Sequence, residues 1–179
     1  AVMATGAGGG AFGLGGLVLE LPVSTTIMLR SIADIAQAQG EDIGVVEGQL
    51  ACLEVFALGG RTKDDDAAET GYFAIRSALA SSITDAAKYL AQKGLRDKGT
   101  PVLVRFISAI SSRFGIVVSE KAAAMAIPAL GAAGGAVINS LFISHFQDMA
   151  RGHFIVRRLE RLYEPELVRQ AYLQLSSEV

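Results

Sequence analysis

Gly8-Gly9-Gly10-Ala11-Phe12-Gly13 fits the pattern G-x-G-x-x-G, and the fold turns on what surrounds it. A phosphate-cradling turn of this kind needs a strand before it and another about twenty residues later, ending in an acid. The segment that would supply that acid is Arg30-Ser31-Ile32-Ala33-Asp34-Ile35-Ala36, whose pattern is helical. The dinucleotide reading therefore lacks its context. On a helix, Gly6, Gly9, Gly13 and Gly16 fall along one narrow face at about 100° per residue, where a second helix backbone can come close.

Outward from this stretch the chain reads as all-α. No segment alternates apolar and polar residues for long, whereas helix-spaced apolar positions and stop signals recur, predicting about eight helices in one multi-helix bundle over 1–179. The first covers 2–20, and Pro22 opens a second that ends near Gly40. A third, 44–58, stops at Gly59-Gly60, and the polar turn 61–66 leads into a long helix reaching Lys93-Gly94. Thr100-Pro101 reads as cap and first residue of a helix ending at Phe114-Gly115, and Ser119 caps the next. From 122 to 144 the chain runs 23 residues without a charge, long enough to span a bilayer. A charged helix, 145–163, and a short one from Pro165 finish it. Gly131, Gly134 and Gly135 give the uncharged segment a small-residue face, so the segments 1–19 and 122–144 are expected to pack together as two central Gly/Ala-rich helices, in a bilayer or in a dry core.

Composition narrows the function. Hydrophobic residues make up 51% of the chain and charged residues 19%, with a mean hydropathy of +0.40, which favours a membrane or a large partner. A formal charge of −2 argues against a general nucleic-acid binder, which needs a basic face. The single Cys52 sits in an apolar helical run and reads as a small buried thiol; no disulfide framework or zinc cluster can be built from it. Because the chain opens Ala1-Val2-Met3, without a signal-peptide pattern, an N-terminal portion is expected to precede it.

Several strings carry a family resemblance. Gly13-Leu14-Gly15-Gly16, the run from Glu20-Leu21-Pro22-Val23-Ser24 through Arg30 and Asp34 to Ala36, and Gly40-Glu41-Asp42 form its opening. It continues through Leu53-Glu54-Val55-Phe56-Ala57-Leu58-Gly59-Gly60, Ser119-Glu120-Lys121-Ala122, Ile127-Pro128-Ala129-Leu130-Gly131, and His145-Phe146-Gln147-Asp148-Met149-Ala150-Arg151-Gly152-His153-Phe154. From Gly6 to Tyr172 the chain resembles EcsC-family proteins. The resemblance implies bacterial origin, an α-helical domain, and a family named after a component encoded beside an ABC transporter. It names no catalytic residues. It also implies a further helical region ahead of the glycine-rich segment, expected to precede residue 1.

Glu20, Arg30, Asp34, Glu54, Asn139, His145 and Asp148 are polar residues in apolar helical surroundings, with Arg30 and Asp34 the clearest pair at i, i+4. They are read chiefly as internal ion pairs that fix helix register, and otherwise as a pocket. His145 and Asp148 share a face, yet no Glu-x-x-His repeat accompanies them, so no metal and no cofactor is expected. No Gly-x-Ser-x-Gly elbow is present, and Ser24-Thr25-Thr26 reads as local backbone bonding. His153, Arg157 and Arg161 recur every four residues, with Arg151 and Arg158 nearby, as a candidate face for anionic lipid. The expectation is a non-enzymatic, membrane-associated accessory or lipid- and partner-binding protein of the bacterial cytoplasm, peripheral to or partly inserted in the inner membrane. The alternative is a soluble enzyme or small-ligand binder with its pocket around Arg30, Asp34, His145 and Asp148.

Overall fold

The computed structural model describes residues 14–60, 71–93, 101–125 and 131–177. Among these, the secondary structure is six helices and no strand: α1 (Leu14–Ala38), α2 (Val46–Leu58), α3 (Gly71–Lys93), α4 (Pro101–Met125), α5 (Gly131–Leu162) and α6 (Pro165–Ser177). The all-α class holds, with fewer and longer helices than the eight expected.

Two expected breaks do not occur. Pro22 lies inside α1 instead of opening a new helix. The reason is the stripe Glu20, Ser24, Met28, Ile32 and Ala36, buried at every fourth position, which stays on one side only if the helix runs through the proline. Hydroxyls assist there: Ser24 Oγ donates to the Leu21 carbonyl at 3.2 Å and Thr26 Oγ1 to the Pro22 carbonyl at 2.8 Å. Likewise α4 passes through Gly115, and Ser119 donates back to the Gly115 carbonyl at 2.8 Å rather than capping a new start. The uncharged stretch 122–144 is divided, its first residues closing α4 and its later ones opening α5, with 126–130 outside the described residues. Pro128 falls between the two helices in the sequence, and a proline disfavours helical geometry just before it.

Other stops fall where the sequence placed them. Gly40 has a φ of 77°, and Gly40 N donates to the Gln37 carbonyl while Glu41 N donates to the Ala36 carbonyl. This Schellman closure ends α1 and aims Glu41 back across the bundle. At the end of α2, a Cβ on Gly59 would lie 2.4 Å from the Phe146 ring, and one on Gly60 would lie 2.2 Å from the Arg113 carbonyl. Only glycine permits those approaches.

Helix α2 is central, packed against α1, α3, α4 and α5, while α1 and α5 form the most extensive pairing in the bundle. Phe56, Phe114, Phe142 and Phe146 interlock beside α2 with ring centroids 5.1 to 6.1 Å apart. Gly16 lies on α1 and Gly131, Gly134 and Gly135 on the first turns of α5; Gly6, Gly9 and Gly13 lie outside the described residues.

Candidate functional site

The inner face of α5 carries two of the buried polar groups, Asn139 and His153, and others from α1, α2 and α4 meet it. Asn139, Phe142, Phe146, Ala150, His153 and Phe154 are buried along it at helical spacing, so polar side chains alternate with the apolar ones that hold the bundle. Three polar stations result.

At the first, Lys121 of α4 is buried, and its Nζ donates to Glu20 Oε2 at 2.7 Å and to Asn139 Oδ1 at 2.8 Å. The same ammonium stands 4.3 Å from the centroid of Phe142. One cation thereby ties α1, α4 and α5 together, and among the described residues Glu20 Oε1 has no hydrogen-bond partner.

The second station is His153, with Nδ1 3.0 Å from the Tyr72 hydroxyl and Nε2 3.7 Å from Glu54 Oε2. That last distance is too long for a hydrogen bond, and among the described residues Nε2 has no other partner. Burial, reinforced by the Arg157 and Arg76 charges, holds His153 well below the usual imidazole range, so the ring is neutral. Burial pushes the Glu54 carboxyl up to about 7, against the pull of Arg76 and Arg157. Burial also raises the Tyr72 phenol, which stays protonated.

The third station is ionic. Glu41 receives Arg157 at 3.1 and 2.6 Å and Arg161 as well, while Arg161 also donates to the Gln39 carbonyl. Burial alone would raise the Glu41 carboxyl; the two guanidinium groups overcome it and hold it below its ordinary value. Nearby, Arg76 grips Glu160 through both nitrogens at 2.7 and 2.9 Å.

These positions revise the expected cluster. Glu20 and Glu54 are buried as expected, but at separate stations. Arg30 and Asp34 are exposed, because they lie two positions past Met28 and Ile32, on the far side of α1 from its buried stripe. Asp148 is exposed and paired with Arg151 one turn along. His145 is half-buried, its Nε2 2.8 Å from the Gly59 carbonyl, to which it donates. Among the described residues, His145 and Asp148 line a cleft of about 610 Å³ with Tyr72 and His153, and Arg30 and Asp34 do not join them there. The basic stripe is also redirected. His153 is interior, Arg157 and Arg161 are committed to Glu41, and Arg158 remains exposed. His153 and Arg157 continue the core face of α5, which is why they face protein, while Arg151, Arg158 and Arg161 are exposed. Among the described residues, no three His, Cys, Asp or Glu side chains converge as a metal-ligand set.

Sequence reasoning missed Lys121, Tyr72, Arg76 and Glu41. Lys121 alone left a trace, as the last charge before the uncharged run.

The surface holds the opposite feature. Pro101–Ala124 is 24 residues long, its most apolar 18-residue stretch has a mean hydropathy of 1.6, and 11% of that stretch is buried. Val104 is 50% and Ile107 57% exposed. Of its four charges, Arg105 and Glu120 are exposed, Arg113 turns inward to the Ala57 carbonyl at 3.3 Å, and Lys121 turns inward to Glu20.

No curated protein and no solved structure matches this chain. A model of the EcsC protein family, however, matches residues 1–159, and the chain belongs to that family.

Proposed function

We propose that the protein is a non-enzymatic, membrane-associated helical protein held at the bilayer through α4. The observation that carries this reading is a 24-residue helix whose most apolar 18-residue stretch has a mean hydropathy of 1.6 with 11% of it buried. It packs Val102, Phe114 and Val117 partly against the core while leaving Val104 and Ile107 exposed. A helix of that composition at the centre of a water-soluble bundle would be mostly buried, as α2 is. At 1.5 Å per residue its length is about 36 Å, against about 30 Å of hydrocarbon.

Its polar content suits the same reading. Ser112 donates to the Ala109 carbonyl and Ser119 to the Gly115 carbonyl, so these hydroxyls are satisfied on the helix's own backbone. The inward turn of Arg113 and Lys121 keeps their charges off the outer face, which leaves Arg105 and Glu120, each within about a turn of an end of the segment, as its exposed charges. With Arg157 and Arg161 committed to Glu41, attachment rests on apolar area more than on charge.

Sedimentation with neutral and with anionic vesicles, at low and high salt, tests this. The expected result is binding to both kinds that resists salt, because screening weakens only electrostatic attachment. Salt-reversible binding to anionic vesicles alone would transfer the role to exposed arginines such as Arg158. A monodisperse protein that ignores every vesicle would overturn the proposal, and a stable dimer that ignores them would make the α4 face an interface between copies.

A further inference from the structure

A cleft of about 510 Å³ opens between α2, α3, α5 and α6, with Glu54 in its wall. The guanidinium groups lining it already face carboxylates: Arg76 holds Glu160, Arg157 holds Glu41, and Arg169 stands 3.9 Å from Glu166. The cleft thus has little positive charge to offer an anion. Glu54 differs from them. Its side chain is 4% exposed, no hydrogen bond from a described residue reaches its carboxyl, and behind it lies His153 Nε2 at 3.7 Å, itself buried and unpartnered. If the Tyr72 hydroxyl donates to Nδ1, the neutral ring carries its proton on Nε2, facing Glu54. The phenol and the imidazole then form a chain that ends in a donor behind the carboxylate. On the cleft side the Arg76 and Arg157 charges pull on that carboxylate, but no hydrogen bond from a described residue reaches it.

We propose that this cleft binds a small organic cation bearing a primary ammonium group, which donates to the Glu54 carboxylate while His153 supports that carboxylate from behind. Phe73 lines the same wall, its ring centroid 5.7 Å from the Arg76 guanidinium and 6.0 Å from that of Arg169. The inference stands apart from membrane attachment, since none of these residues lies on α4.

Binding is coupled to a proton. Facing Glu54 are Tyr72 and Arg76 from α3 and His153, Arg157 and Glu160 from α5. Glu47 and Cys52 share its own helix, Glu41 reaches it through Arg157, and Arg169 and Glu166 of α6 close the cleft. From α4, Arg113 bonds the Ala57 carbonyl further along α2. With Glu54 pushed by burial up to about 7, the carboxyl keeps its proton in mildly acidic solution. An arriving ammonium releases it: the carboxyl O–H bond breaks, the proton goes to solvent, and an N–H···O bond forms in its place. No electron changes hands.

Calorimetric titration of the full chain with propylammonium, in buffers of different ionisation enthalpy, reads affinity and proton release together. Binding only to the ionised carboxyl makes the affinity about tenfold tighter at pH 8 than at pH 6, with close to one proton released at pH 6. Propionate and tetramethylammonium, which lack either the charge or the N–H donors, bind more weakly. Glu54→Gln keeps the shape and neutrality of the protonated acid, so it folds, and it loses both the binding and the proton release. Propionate binding as tightly as propylammonium would overturn the proposal, as would Glu54→Gln binding unchanged, or no heat from the wild type at pH 8 up to about 10 mM ligand, a limit near −3 kcal/mol.

Discussion

Helices α2 and α4 are both apolar, and the bundle treats them oppositely. Nine of the thirteen residues of α2 are buried, Glu54 and Cys52 among them, whereas α4 turns Phe106 and Ile110 inward and leaves Val104 and Ile107 outside. Hydropathy does not separate the two; length and neighbours do. Thirteen residues cannot cross a bilayer and must be covered by other helices, while 24 can, and need not be. Burial along α2 is also what makes a carboxyl there chemically unusual. Exposure along α4 is what makes its aliphatic side chains a surface feature.

The sharpest break in this comparison is a core truncation. Phe56→Ala on α2 removes a ring packed edge-on to Phe114 and against Phe146, and should cost about 4 kcal/mol in urea unfolding. The matching change on α4, Ile107→Ala, should stay within about 0.5 kcal/mol in water. Equal costs would erase the distinction between the helices.

Next in size is the one place where α4 is anchored inside. Lys121→Met leaves Glu20 and Asn139 without their donor and should cost about 3 kcal/mol, while the added change Glu20→Leu should restore much of it, because the orphaned carboxylate then disappears. Denaturant titration of the single and double variants reads this directly.

A pH series sharpens the α2 side. The folded-state value of Glu54, about 7, is raised above its ordinary value, so the native state holds more protons than the unfolded one and stability falls as pH rises from about 4.5 to 7. Glu54→Gln removes that loss and should gain on the wild type across the same window, by on the order of 1–3 kcal/mol. His153 acts with the opposite sign: its lowered value means that stability is lost as pH falls below about 6.5, in both proteins alike. A constant difference between wild type and Glu54→Gln from pH 5 to 8 would contradict the raised carboxyl. Smallest of all, Arg158→Ala, exposed and outside the Glu41 pairing, should leave both stability and salt-resistant vesicle binding near the wild-type level.

Local chemistry made much of the fold legible. Gly40, Gly59-Gly60, Pro101 and Pro165 mark boundaries because each acts on its own backbone. Pro22 and Gly115 misled because what carries the helix past them is a buried stripe, a property of partners that one segment does not display. The site suffered more. Glu20 and Glu54 stood out as acids in apolar runs, but Lys121 lies 101 residues from Glu20, and Tyr72 lies 81 from His153. No periodicity links positions so far apart. The arginine stripe was visible as a face of α5, whereas its destination depends on Glu41, which a Schellman turn aims at it from the far end of α1.

The central claim, that α4 is the bilayer-facing helix, is tested most directly by Ile107→Cys and a water-soluble maleimide. The native Cys52 is 3% exposed and burial pushes its thiol up to about 11, so it stays unreactive and the introduced thiol gives the signal. The account predicts rapid labelling of residue 107 in buffer and protection by neutral vesicles at both low and high salt. Labelling at the same rate with and without vesicles would contradict it.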